Sequence, residues 1–115
     1  SYFTFSIDQE IRRIDYISYY QGLSFLKLGN KIKASEIFTA LIEEGNQRIN
    51  KGSEIDFFAK FGEKETVNKQ LSNANLLLGL GNKGIGENEK AKENLKKAVE
   101  LSASNLWAGI ELNGL

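Results

Sequence analysis

The sequence predicts an all-α chain, and three observations point that way. There is no proline in 115 residues, although proline is the strongest helix breaker. Apolar residues recur at i, i+3, i+4 and i+7 over several long stretches. Glycines stand where those stretches end, and no strand-period alternation competes with them.

The elements follow in chain order. Ser6 and Gln9 form a capping-box pattern that predicts the start of a first helix. Its stripe continues through Ile7, Ile11, Ile14, Phe25 and Leu28, widened by Tyr16, Ile17, Tyr20, Leu23 and Leu26. Gly29-Asn30 ends it, because glycine supplies the left-handed conformation common after a last helical turn. Ala34, Ile37, Phe38, Leu41 and Ile42 then mark a second amphipathic helix, reaching about Asn50. Between 45 and 66 the pattern is interrupted by Gly45, Asn46, Asn50, Gly52, Ser53 and Gly62. Residues 51–66 therefore read as an irregular insertion, with Ile55, Phe57, Phe58 and Phe61 as apolar anchors. A third helix is predicted over Thr66–Leu80, with Val67, Leu71, Ala74 and Leu78 inward. A fourth covers Asn88–Ser102, with Ala91, Leu95, Ala98 and Val99 on one face. A short last helix, about 104–112, carries Leu106, Trp107 and Ile110.

Composition excludes whole classes of chemistry. The chain has no histidine and no cysteine, and 15 basic residues balance 15 acidic ones. It therefore lacks the commonest general base, the commonest metal ligand and any thiolate. No disulfide, metal or cofactor is expected. Neutral net charge argues against an electrostatic nucleic-acid or membrane binder. No apolar run approaches the roughly 18 residues of a membrane span, and no signal-peptide pattern opens the chain, so the reading is cytoplasmic. Ser1 in place of an initiator Met suggests a piece of a longer protein. The length suits a single domain, 1–115.

Internal similarity sharpens the fold. Gly22, Phe25, Gly29, Ala34, Phe38 and Leu41 match Gly79, Asn82, Gly86, Ala91, Leu95 and Ala98, each pair 57 positions apart. Gly22 and Gly79 would let two helices approach closely, Gly29 and Gly86 would mark turns, and Phe38 and Leu95 would fill the space between helices. This pattern resembles the tetratricopeptide repeat (TPR), a helix-turn-helix unit with small, aromatic, Gly, Ala, aromatic and Ala positions at that spacing. Asn82 departs from it where an aromatic is usual, Leu41 where Ala is usual, and Ser18 and Gln21 replace the usual Trp and Leu. The resemblance implies a right-handed solenoid of two hairpins, about 15–50 and 67–102. Tandem units would repeat every 34 residues or so, hence the insertion between them, and the Trp107 helix would be a capping element. A buried indole there would make Trp107→Ala cost about 3–5 kcal/mol. The arrangement also resembles the C-terminal helical region of large bacterial multidomain proteins, in which such repeats follow a domain of unknown function with a suspected carbohydrate link.

Function follows from the same resemblance. It implies a non-catalytic module that binds a protein or peptide, or neighbouring domains of its parent chain, in a groove lined by the first helices. The groove residues would be Tyr16, Tyr19, Leu23, Lys27, Asn73 and Lys83. The chaperone-binding class of these repeats clamps a terminal carboxylate with Lys and Asn; Tyr19 and Leu23 stand in those places and disfavour that partner. The alternative is a helical accessory part of a carbohydrate-active enzyme. Gly79-x-Gly81-x-x-Gly84 spells a dinucleotide-binding fingerprint, but no strand precedes it, and Ser104 and Asn105 stand where an acid should hold the ribose. Glu43-Glu44 and Glu87/Glu89 read as solvated faces, like Glu89–Glu93–Lys97. A homodimer is expected through apolar ends: the Tyr2–Phe5 lead-in, or Trp107, Ile110, Leu112 and Leu115.

Overall fold

A computed structural model describes residues 16–58 and 64–115, apart from the side chains of 52–58 and 64–66. Every regular element in it is helical: α1 (residues 16–27), α2 (Lys31–Phe58), α3 (Lys64–Gly84), α4 (Asn88–Leu101) and α5 (Leu106–Asn113). The Ser6/Gln9 cap, the Tyr2–Phe5 lead-in and the Phe57, Phe58 and Phe61 anchors lie outside the described residues or side chains. From α2 onward each helix packs on its successor, and α5 also touches α3. One core runs through the array, formed by Tyr16, Tyr19, Phe38, Leu41, Leu76, Leu77, Leu80, Leu95 and small residues between them.

The two hairpins are built alike. At the first turn the Asn30 amide donates to the Phe25 carbonyl (2.8 Å) and the Gly29 amide to Leu26 (3.0 Å). At the second, Glu87 donates to Asn82 (2.8 Å) and Gly86 to Lys83 (3.1 Å). Both are Schellman-type closures, and both need a left-handed residue: Gly29 has φ 82° and Gly86 φ 88°. The 57-residue shift superimposes the packing as well. A Cβ on Gly22 would lie 2.5 Å from the Phe38 ring, and one on Gly79 would lie 2.6 Å from Leu95. Ala34 and Ala91 are fully buried beside them. Where Asn82 departs from the aromatic Phe25, its amide donates to Asn94 across the hairpin (2.9 Å). The position matching Asn94 in the first hairpin holds Ile37, so a polar pair stands where the first hairpin has an apolar one.

The segment predicted as an irregular insertion is largely helical. Residues 51–58 continue α2, and α3 already begins at Lys64. Gly52 and Ser53 weaken a helix locally, glycine by about 1 kcal/mol, but α2 packs on α3, and tertiary packing decides most helix stability. Helix α3 also runs four residues past its expected end, through the glycine-rich run to Gly84. Those glycines are contact points. A Cβ on Gly81 would sit 2.7 Å from the Phe38 carbonyl oxygen, and one on Gly84 would strike the Phe38 ring. Gly79 therefore seats α4, whereas Gly81 and Gly84 seat α2.

The cap differs in its anchor. Trp107 is 48% exposed and Ile110 and Leu106 are exposed too, whereas Ala108 is fully buried and Glu111 nearly so. A half-exposed indole does not carry the 3–5 kcal/mol expected of a buried one. Helix α5 is held instead by Ala108, by Leu112 packed on the core, and by its N-cap. The Asn105 side-chain Oδ1 accepts from the Ala108 amide (3.2 Å), while its Nδ2 donates to Ser72 Oγ (2.9 Å) and Asn73 Oδ1 (3.2 Å). Ser72 in turn donates to the Ala98 carbonyl (2.6 Å). This relay ties the start of α5 to α3 and α4.

Candidate functional site

Two of the six residues singled out from sequence, Tyr16 and Lys83, converge on Glu111, which was not, and a third, Tyr19, packs beside Tyr16. Tyr16, at the start of the described α1, donates its hydroxyl to Oε1 of Glu111 on α5 (3.2 Å). Lys83, in the last turn of α3, donates to Oε2 of the same carboxylate (2.8 Å). Tyr19, one turn along α1, is 3% exposed and packs its ring at 6.4 Å from Tyr16 and 6.1 Å from Phe38. Glu111, 7% exposed, is the one buried acid among the described residues. Both its oxygens are matched, and no buried side-chain polar atom described lacks a partner. A buried charge is tolerable only when paired and hydrogen-bonded in this way.

The environment shifts three of these groups in one direction. Burial, reinforced by the Glu111 charge and hydrogen bond, pushes the Tyr16 phenol far above its usual range. Burial also raises Tyr19, offset in part by Lys83. For Lys83 burial pulls downward, but the hydrogen bond to Glu111 and the neighbouring tyrosines outweigh it and the net shift is upward. The tyrosines stay neutral donors and the lysine stays a cation at physiological pH. None of the three is poised near neutrality, as acid–base catalysis requires.

Around this cluster lies an aromatic surface. Trp107 packs against Tyr16 with ring centroids 4.5 Å apart and planes tilted by 44°, and the Tyr20 ring lies 6.0 Å from that of Tyr16. Tyr20 is 55% exposed, and Ile17 and Ile110 are exposed beside these rings on α1 and α5. The face therefore offers Tyr20 and Trp107, with Tyr16 and Tyr19 as buried supports.

The other predicted residues are scattered. Leu23 is half-buried and packs on the core. Lys27 is exposed at the far end of α1, by the hairpin turn. Asn73 is engaged by the α5 cap through Asn105. Glu111 is a single acid in an apolar segment, and that isolation is the one signal the sequence offers for it. Gly79, Gly81 and Gly84 lie within a helix, with no strand before them, and their packing accounts for the spacing. No group of three potential metal-ligating side chains occurs among the described residues. None of the described helices is long and apolar enough to cross a membrane. An open depression on the outer face of α2, lined by Ser35, Glu36, Thr39, Ala40 and Glu43, contains none of the predicted residues. Comparison with protein-family models, curated proteins and solved structures finds no significant match.

Proposed function

We propose that the chain is a non-catalytic interaction module of TPR-like, right-handed solenoid type, which binds a protein or peptide on the aromatic face shared by α1 and α5. The observation that supports this most directly is the ring contact between Tyr16 and Trp107, which joins the exposed Tyr20 and Trp107 into one surface. Tyrosine and tryptophan are the residues that dominate recognition hot spots, combining large apolar area with a polar edge. Their buried supports give the surface a fixed shape, so little ordering entropy is lost on binding. The repeated hairpins support the TPR-like reading, and the absence of histidine and cysteine supports the non-catalytic one. A cytoplasmic setting accompanies it.

Trp107 is the only tryptophan, so its fluorescence reports directly on this face. Peptides selected by display against the chain are expected to shift Trp107 emission. They should lose at least about tenfold in affinity, 1.4 kcal/mol, against Tyr20→Ala and against Ile110→Ser, with the thermal midpoint little changed. Selected peptides that leave the emission and the Tyr20→Ala affinity untouched would place binding elsewhere. Stoichiometric binding of NAD or ATP would overturn the module reading. The exposed rings also favour a second reading, an accessory surface for a carbohydrate-active enzyme, because aromatic faces pack on the apolar faces of sugars. Oligosaccharides that shift the emission where peptides do not would select it.

A further inference from the structure

The two hairpin tips are built alike but carry opposite charge. At the first, Leu28 and Ile32 are 80% and 76% exposed, the most exposed large apolar side chains described. Lys27, Lys31 and Lys33 surround them and are exposed. No acid occurs anywhere from residue 16 to residue 35. Lys33 lies over the Phe25 ring, 5.4 Å from its centroid. The 57-residue shift carries Leu28 to Ile85, Asn30 to Glu87 and Ile32 to Glu89. The second tip therefore presents an exposed Ile85 beside two exposed carboxylates, with no cation from 85 to 89. Lys83 just before it is turned onto Glu111; the exposed Lys90, which matches Lys33 of the first tip, comes directly after Glu89, and Lys92 follows.

Both tips lie at the same end of the molecule. Gly84, the last residue of α3, packs against Phe38, two turns into α2 from the first tip. An apolar-centred basic tip and an apolar-centred acidic tip at one end form a self-complementary surface. A two-fold axis at that end lays the first tip of each copy on the second tip of the other, so each contact forms twice, as closed symmetry requires.

We propose that the paired hairpin tips form a homodimer interface, in which Lys27, Lys31 and Lys33 around Leu28 and Ile32 of one copy meet Glu87 and Glu89 around Ile85 of the other. Such a contact is small and charge-steered, at the weak end of specific interfaces. It leaves the aromatic face of α1 and α5 free, so its failure would leave the binding-module reading intact.

Sedimentation of the full chain, from micromolar concentration to about 1 mM, tests the proposal. A dimer is expected that weakens in about 1 M salt, where the Debye length falls to about 3 Å. The Lys31→Glu/Lys33→Glu variant should raise the dimer dissociation constant at least about tenfold, and so should Glu87→Lys/Glu89→Lys, because each sets like charges opposite one another. Mixing the two variants should restore the dimer, since both contacts become complementary again. All four positions are exposed, and the thermal midpoint of each variant verifies folding. A chain that stays monomeric would overturn the proposal. So would a dimer indifferent to both reversals, or variants that remain monomeric when mixed. Anionic vesicles that bind wild type but not Lys31→Glu/Lys33→Glu, with no dimer formed, would reassign the basic tip to a membrane surface.

Discussion

Tyr16 and Glu111 are 95 positions apart in the chain and share a hydrogen bond of 3.2 Å. Through that bond the first described helix is fastened to the last, and Lys83 fastens the same carboxylate to α3. Tyr16→Phe removes a donor to a charged, buried acceptor and is expected to cost about 1.5–3 kcal/mol. In a Glu111→Gln background the same change should cost less, with a coupling of at least about 0.5 kcal/mol. Urea titrations of the four proteins measure this. Additive losses would mean that the two side chains are neighbours without being partners.

Alkaline pH should loosen this fastening first. Tyr16, Tyr19 and Lys83 all bind their protons more tightly folded than unfolded. Their contribution is complete below the ordinary values of 10.0 for the phenols and 10.5 for the amine, and it is lost as pH rises above them. Above about pH 10 each such group lowers stability by up to roughly 1.4 kcal/mol per pH unit. No histidine is present to titrate between pH 6 and 8. The urea midpoint should therefore hold level from pH 6 to about 9 and fall steeply beyond 10. Tyr16→Phe should make the alkaline fall shallower. An equally steep fall in that variant would exclude Tyr16 as its source.

Adding a methyl group should have opposite effects on two helical glycines. Gly81→Ala drives a Cβ toward the Phe38 carbonyl oxygen and Ile42, and overpacking of this kind costs about 1–3 kcal/mol. Gly109, within α5, has nothing within 4 Å of an added Cβ. There Gly109→Ala should stabilise by about 0.5–1 kcal/mol, the usual helix preference for alanine. Thermal melts of the two variants shifting in the same direction would contradict the packing described for α3.

The hairpins were legible in the sequence because the residues that make them are chemically unambiguous. Spacing marks Gly22 and Gly79 as points of close approach and Phe38 and Leu95 as fillers between helices, and the structure seats Phe38 against Gly22 and Leu95 against Gly79. The continuation of α2 past Asn50 was hidden because Gly52 and Ser53 are weak helix formers, and local preference cannot register packing on a distant helix. The inward side of α5 was hidden for another reason. Leu106, Trp107, Ala108 and Ile110 are apolar nearly all round the helix, so no stripe indicates which side faces in, and the size of the indole points to the wrong anchor. Of the six predicted residues, the structure brings Tyr16, Tyr19 and Lys83 into one cluster. The sequence could not tell supporting rings from presented ones, a distinction that depends on what α5 covers.

The glycine notches of α3 also bear on motion. Leu95 seats in the notch of Gly79, Ile42 in that of Gly81 and Phe38 in that of Gly84, so α3 is keyed on two sides at once. Sliding α3 along either neighbour, or rotating it about its own axis, would bring a side chain against a side chain instead of into a gap. Axial shear within the α2–α3–α4 slab is thereby blocked, and the slab moves as one plate. Whatever the molecule yields when it meets a partner must come from the elements outside those notches.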